Sequence, residues 1–181
     1  NVAFNTFYGQ TDVDVSDSFL DEVNKVKKKI NKENIDIKNI KVYSSPLKRC
    51  IKLTEQITKD YQIDDRIKEM NLGDWEMKKM NEISNEKIKK WEENLMNYKI
   101  PNGESNHEFL SRLSNFLSEI SEIDNDVLII CHAGSINGMI SILTNESFDK
   151  MVKNYWEKIK YGSLSLIEVK NKLVLKKIIG K

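Results

Sequence analysis

Four short stretches of this sequence hold residue types that can grip an anion or move a proton. His132 stands in Ile129-Ile-Cys-His-Ala-Gly-Ser135, at the end of an apolar run. The backbone N–H groups of Ala133 and Gly134 follow it, and such groups at a helix N-terminus can hold an anion. Arg49 closes Tyr43-Ser-Ser-Pro-Leu-Lys-Arg49, and its planar fork of donors matches phosphate oxygens. Glu69 precedes Met70-Asn-Leu-Gly-Asp-Trp-Glu76. A carboxyl enclosed in such a loop keeps its proton to higher pH and can serve as a general acid; Glu76 ranks second for that role. Gly103-Glu104-Ser105 is the fourth stretch, and Glu104 near a helix N-terminus is favourable on dipole grounds alone. Singly, each has a plainer reading: a structural histidine, a surface arginine, a solvated carboxylate, a helix cap.

The elements that must position these residues follow from the pattern around them. Asn1 to Val15 has no clear period and reads as an ordered loop. Ser16 is a candidate cap for a helix whose stripe is Phe19, Leu20, Val23, Val26 and Ile30. Ile40 to Tyr43 reads as a strand. Ser45-Pro46 then reads as a cap and a first-turn proline for a helix carrying Leu47, Cys50, Ile51, Thr54 and Ile57. Ile83 to Tyr98 predicts a helix rich in lysine and glutamate. Ser105 and Glu108 form a capping box before Phe109, Leu110, Leu113, Phe116, Leu117 and Ile120. Val127 to Ile130 predicts a fully buried strand. Helices are expected over Ser135 to Leu143 and Phe148 to Ile159. Leu164 to Val169 and Leu173 to Ile179, split by Lys170-Asn-Lys172, read as a hairpin. Strands alternating with helices predict an α/β layered domain, and His132 and Arg49 both fall just past strands, where ligands of open α/β sheets bind.

Composition narrows the function classes. The chain has 181 residues, one domain's worth, with 39% hydrophobic residues and a net charge of +1. No basic face marks a nucleic-acid binder. No apolar run approaches the roughly 18 residues of a membrane helix. Cys50 and Cys131 lack metal-ligand spacing and read as buried free thiols, which suits a reducing, cytoplasmic setting. Nothing in the pattern specifies an oligomeric state.

Order and spacing turn the four weak signals into a specific one. Y-S-S-P-L-x-R, E-x-x-x-G-x-W-E, P-x-G-E-S and V-L-I-I-x-H-x-G, in that order, resemble the histidine phosphatase superfamily, nearest to α-ribazole-phosphatase-like and phosphoglycerate-mutase-like phosphatases. Phe7-Tyr-Gly-Gln-Thr-Asp12 is similar to the family's substrate loop, and the likeness runs over residues 5 to 170. The resemblance implies a three-layer α/β/α fold with a mostly parallel central sheet. It implies a phosphomonoesterase that works through a phosphohistidine, needs no metal or organic cofactor, and acts on a small phosphorylated substrate, α-ribazole 5′-phosphate of cobalamin synthesis among the candidates. In that role Arg49 clamps the phosphate, His132 contacts the same oxygens, and Glu69 protonates the leaving alcohol. Tyr8 and Gly9 line the entrance, and Ala133 offers a backbone contact.

The sequence also departs from the pattern. The family nucleophile sits in an Arg-His motif after a first strand, whereas the two histidines here, His107 and His132, follow Asn106 and Cys131. Residues 1–181 are therefore read as one N-terminally incomplete domain. The attacking histidine and first strand are expected upstream of Asn1, and the polypeptide as written is expected to be inactive and to fold poorly. His107 reads as a surface or capping-turn residue. Met77 stands where the family often has glycine, so the local turn could differ. A mutase is the nearest rival, but the roughly 24 residues between Glu76 and Pro101 are short for its insertion and contain no arginine. Ile83 to Tyr98 is expected to form a lid, with Trp91 and Tyr98 as candidate lining residues, though a core or hinge role suits each better. A non-catalytic phospho-ligand binder is the other alternative.

Overall fold

The computed structural model describes residues 6–155, 157–171 and 173–181; part of the expected opening loop, residues 1–5, lies outside them. The chain order is α1 (Phe19–Lys32), β1 (Lys41–Ser44), α2 (Lys48–Ile57), β2 (Gln62–Ile63), α3 (Asn85–Glu93), α4 (Asn106–Ile120), β3 (Val127–Ile130), α5 (Ala133–Thr144), α6 (Phe148–Tyr155), β4 (Leu166–Lys170) and β5 (Leu173–Ile178). Strands β2, β1 and β3 form a parallel sheet in that order. Strands β4 and β5 form the antiparallel hairpin that the sequence predicts, with Asn171 turning it at a φ of 51°.

Alternation along the strands sends side chains to two separate cores. Val42 and Ile130 meet Cys50, with Leu53, Ile57 and Leu128 packed around them, so α2 covers one face. Tyr43 meets Phe109, Leu113, Phe116 and Met139, so α4 and α5 cover the other. The result is the expected three-layer arrangement. Burial of each large side chain such as Phe109, Phe116 or Leu113, all at most 1% exposed, contributes about 1.5–3 kcal/mol. Tyr43 and Phe116 also meet edge to face, with ring centroids 5.3 Å apart.

Several local expectations need correction. The helix N-cap at α1 is Ser18, not Ser16, whose hydroxyl pairs with that of Ser18. Ser45 does not cap α2, which starts at Lys48 behind Leu47; its hydroxyl is spent elsewhere. Strand β3 is only half-buried except at Ile130, because among the described residues it pairs with β1 alone. Helix α3 ends at Glu93, short of Tyr98. Trp91 and Tyr98 pack on Trp75, each with its ring centroid 6.0 Å away, and so belong to a core. Helix α6 ends at Tyr155, before the expected Ile159, with residue 156 outside the described residues. The capping box at α4 forms as expected: Ser105 Oγ accepts from the Glu108 N–H and Glu108 accepts from the Ser105 N–H.

Candidate active site

Three parallel strands end on the same side, and each delivers one of the expected groups. Arg49 lies in the first turn of α2 after β1, Glu69 lies in the loop after β2, and His132 is the N-cap of α5 directly after β3. Parallel pairing brings the carboxyl ends of the three strands together, which is why residues 83 positions apart in the chain can touch.

Arg49 is at the centre. Its Nε donates to His132 Nδ1 at 3.2 Å, one terminal nitrogen donates to the Thr11 carbonyl at 3.0 Å, and the other donates to the Gly9 carbonyl at 2.7 Å. Two of its five N–H groups remain for a ligand. The Tyr8 ring lies over the guanidinium, with its centroid 5.6 Å from Cζ.

His132 is 7% exposed. Burial, then the charges of Arg49 and Arg112, push its pKa down to about 3, so the imidazole is neutral at physiological pH. A guanidinium can only donate, so Nδ1 is the bare nitrogen and the single proton sits on Nε2. That Nε2–H therefore donates to Ser45 Oγ, 2.8 Å away. A serine 2.8 Å from a histidine invites comparison with a nucleophile and its base, but here the nitrogen facing the hydroxyl already carries a proton and cannot take another. Cys50 is no better placed. Its Sγ lies 3.6 Å from Nε2, but burial pushes its thiol up to about 12, so the reactive thiolate is scarce at neutral pH.

Glu69 has an enclosed carboxyl. Burial raises its pKa, against the lowering pull of two backbone N–H donors and the charges of Arg49 and Arg112. The donors are Met70 and Gly134, each at 2.9 Å. One N–H of the α5 N-terminus, that of Gly134, thus serves Glu69. A Cβ at position 134 would stand 2.3 Å from Glu69 Oε1, so a side chain there would have to displace the Glu69 carboxyl. Ala133, the expected backbone contact, opens α5 next to it.

Glu76 is no proton donor. Burial alone would raise its pKa, but the Thr11 hydroxyl and the N–H groups of Gln10, Gly9 and Leu72 outweigh it and hold the carboxylate ionised. With the Thr11 N–H, five donors converge on it. Glu76 is the peg on which residues 9–11 are wound, and those residues in turn present carbonyls to Arg49. Gly9 is pressed so tightly against this peg that a Cβ would meet Glu76 Oε1 at 2.8 Å and the Met70 carbonyl oxygen at 1.9 Å.

Glu104 also has a larger task than a dipole contact. It accepts from the Asn71 N–H at 2.8 Å and from Arg112 Nε at 2.7 Å. Arg112 then donates to the carbonyls of Arg66, Lys68 and Glu69 at 2.6–2.8 Å. This pair ties the loop carrying Glu69 to α4. Ser45, Thr11 and Arg112 carry no local signal for these roles; His132 lies 87 positions from Ser45, Arg49 lies 38 from Thr11, and Glu69 lies 43 from Arg112. His107 faces elsewhere. It is exposed in the first turn of α4 and stands about 140° around that helix from Arg112.

Comparison with known proteins bears on the family and the fold. The sequence is 26% identical over 153 residues to a protein of Hydrogenobacter thermophilus provisionally named phosphoserine phosphatase 2, covering 80% of this chain and 73% of that one. It is also 26% identical over 118 residues to human 6-phosphofructo-2-kinase/fructose-2,6-bisphosphatase 1, of which it spans only 25%. The crystal structure of the α-ribazole phosphatase from Shigella flexneri superposes with a TM-score of 0.81 at 21% identity, covering 98% of this chain and 89% of that one. The family model of the histidine phosphatase superfamily (branch 1) matches residues 2–177, and the chain therefore belongs to the histidine phosphatase superfamily.

Proposed function

We propose that the chain is the greater part of a phosphomonoester hydrolase that acts on a small phosphorylated metabolite through a phosphohistidine. The observation that carries this reading is the Arg49–His132 pair standing beside Glu69, whose buried carboxyl keeps its proton to higher pH than usual. A phosphate seated on Arg49 would meet the guanidinium's two spare N–H groups, and a shift of Ser45 would free the His132 Nε2–H for the same oxygens. Fixed donors of this kind stabilise the charge that builds on a phosphoryl group in flight.

In the first step an imidazole nitrogen bonds to phosphorus as the bond to the alcohol oxygen breaks, and Glu69 gives its proton to that oxygen. In the second, water attacks the phosphohistidine, Glu69 takes back a proton, and orthophosphate leaves. His132 is occupied at both nitrogens and His107 faces away, so the attacking imidazole is proposed to be carried by sequence preceding Asn1. The two free thiols support the cytoplasmic location expected, and among the described residues no helix is long and apolar enough to cross a membrane.

The test is hydrolysis of p-nitrophenyl phosphate, α-ribazole 5′-phosphate and phosphoserine by the protein expressed with whatever coding sequence precedes Asn1, beside His132→Ala and Glu69→Gln variants. Turnover of any of the three esters that both variants largely lose supports the reading. A folded protein inert towards all three, and towards a wider set of phosphomonoesters, overturns it.

A further inference from the structure

Tyr161 lies in the turn that leads from α6 to β4, far in sequence from every group described above. Its hydroxyl is hydrogen-bonded to that of Tyr8, and Tyr8 in turn covers the Arg49 guanidinium. The turn itself is fastened. Lys29 Nζ donates to the Gly162 carbonyl at 2.7 Å, and the Ser163 N–H donates to the Lys160 carbonyl at 2.9 Å. Yet Tyr161 is 76% exposed. A ring held at its hydroxyl and at its backbone, with its faces in solvent, has already given up the freedom that a ligand would otherwise have to remove. It stands one hydrogen bond and one ring away from the arginine that the proposed reaction uses to hold phosphate. Lys48, the cation next to that arginine in sequence, is paired with Asp12 at 3.4 Å.

We propose that Tyr161, with Tyr8, selects the leaving group, favouring phosphomonoesters whose alcohol carries a flat aromatic or heteroaromatic ring. The inference rests on Arg49 as the phosphate clamp. In this reading a flat ring stacks on the exposed face of Tyr161 while its phosphate sits on Arg49, the two being linked through Tyr8. A carboxylate at the same place would meet the negative face of the ring and gain nothing. The phenol contributes by stacking, so phenylalanine should serve nearly as well as tyrosine.

Binding of two stable phosphonates, which needs no turnover, tests this. Isothermal titration calorimetry on the full chain should give phenylphosphonate an affinity about 3- to 10-fold above that of methylphosphonate. In Tyr161→Ala that ratio should fall to near one, and in Tyr161→Phe most of it should remain. A ratio that survives in Tyr161→Ala, or that is absent from the unsubstituted protein, overturns the inference and leaves the phosphate site standing. Arg49→Ala separates the two ideas, since it should weaken both phosphonates alike. If the unsubstituted protein binds neither phosphonate, the phosphate site falls and the inference with it.

Discussion

Arg49 donates through Nε to Nδ1 of His132 at 3.2 Å, and this one bond determines where the imidazole keeps its proton. The arginine is therefore both an anion clamp and the group that sets the tautomer of its neighbour. Lysine cannot do both. Its ammonium is a compact charge that cannot span the Gly9 carbonyl, the Thr11 carbonyl and His132 together. Arg49→Lys should lower kcat/KM for a phosphomonoester by about 100- to 1,000-fold and raise the inhibition constant of orthophosphate. Steady-state kinetics on the variant, with a melting curve to show that it folds, checks both. A loss below threefold would contradict the assignment.

Glu69 predicts the alkaline limb of the pH profile. A donor must hold its proton, and burial raises the pKa of this carboxyl, so turnover should fall as pH climbs through that raised value. Glu69→Gln cannot donate a proton. It should lose that limb, and it should slow an alkyl phosphate far more than p-nitrophenyl phosphate, whose leaving group needs little protonation. Equal losses on the two esters would mean that Glu69 positions and does not protonate.

The Glu104–Arg112 pair predicts a coupled loss. Arg112→Leu would remove three carbonyl contacts below the Glu69 loop and leave Glu104 without its partner. Breaking a largely buried pair such as this one, whose side chains are 18% and 19% exposed, costs about 3–5 kcal/mol. Chemical denaturation measures that cost. At temperatures where the variant stays folded, the pH limb assigned to Glu69 should also move, because its backbone is no longer tethered. A purely stabilising pair would leave that limb in place.

These three cases also show what the sequence can and cannot disclose. Arg49 and His132 are legible because each follows a recognisable strand, and Glu69 because it opens a motif, and the parallel order of the strands then brings them together. Ser45 is not legible. Serine before proline looks like a helix start, and only the approach of β3 beside β1 reveals that its hydroxyl meets His132. Strand β2 is two residues long, Gln62 and Ile63, both exposed, so it leaves no period to read. Glu76 and Glu104 are equally acidic and equally loop-bound in the sequence. Their tasks differ because of donors supplied from residues 9–11 and from α4, and such partners are tertiary facts.

Met77 offers a test free of the active site. Glycine is the common residue at that position in the family, which left the turn in doubt. The structure keeps a left-handed turn, with methionine at a φ of 61°, and the residue is 48% exposed. Its backbone N–H still reaches the Phe7 carbonyl at 2.7 Å. A non-glycine residue in this conformation costs about 1 kcal/mol, and little burial would be lost with the side chain. Met77→Gly should therefore raise Tm by roughly 2–4 °C, whereas Met77→Ala should not. A glycine variant that melts lower would show that the methionine side chain packs more than its exposure implies.

His132 makes acid stability predictable in sign. Its imidazole titrates near 6.5 when the chain is unfolded and is pushed down to about 3 when folded, chiefly by burial. Between those values the unfolded chain binds the extra proton and the folded one does not, so lowering the pH through this window favours unfolding. The shift corresponds to stability of the order of 4–5 kcal/mol, present above about pH 6.5 and spent by about pH 3. Glu69 acts in the opposite direction over part of the range. Its raised folded pKa means that the folded state takes up the proton first, so stability rises as pH falls through that raised value towards the unfolded one. Comparing the protein with His132→Asn separates the two, because Glu69 is common to both. Urea denaturation at steps from pH 7 to pH 4 should show the unsubstituted protein losing stability faster than the variant, and the gap between the two curves should follow a single protonation. Parallel curves would mean that His132 takes up its proton in the folded state as readily as in the unfolded one, and that the tautomer set by Arg49 is not held.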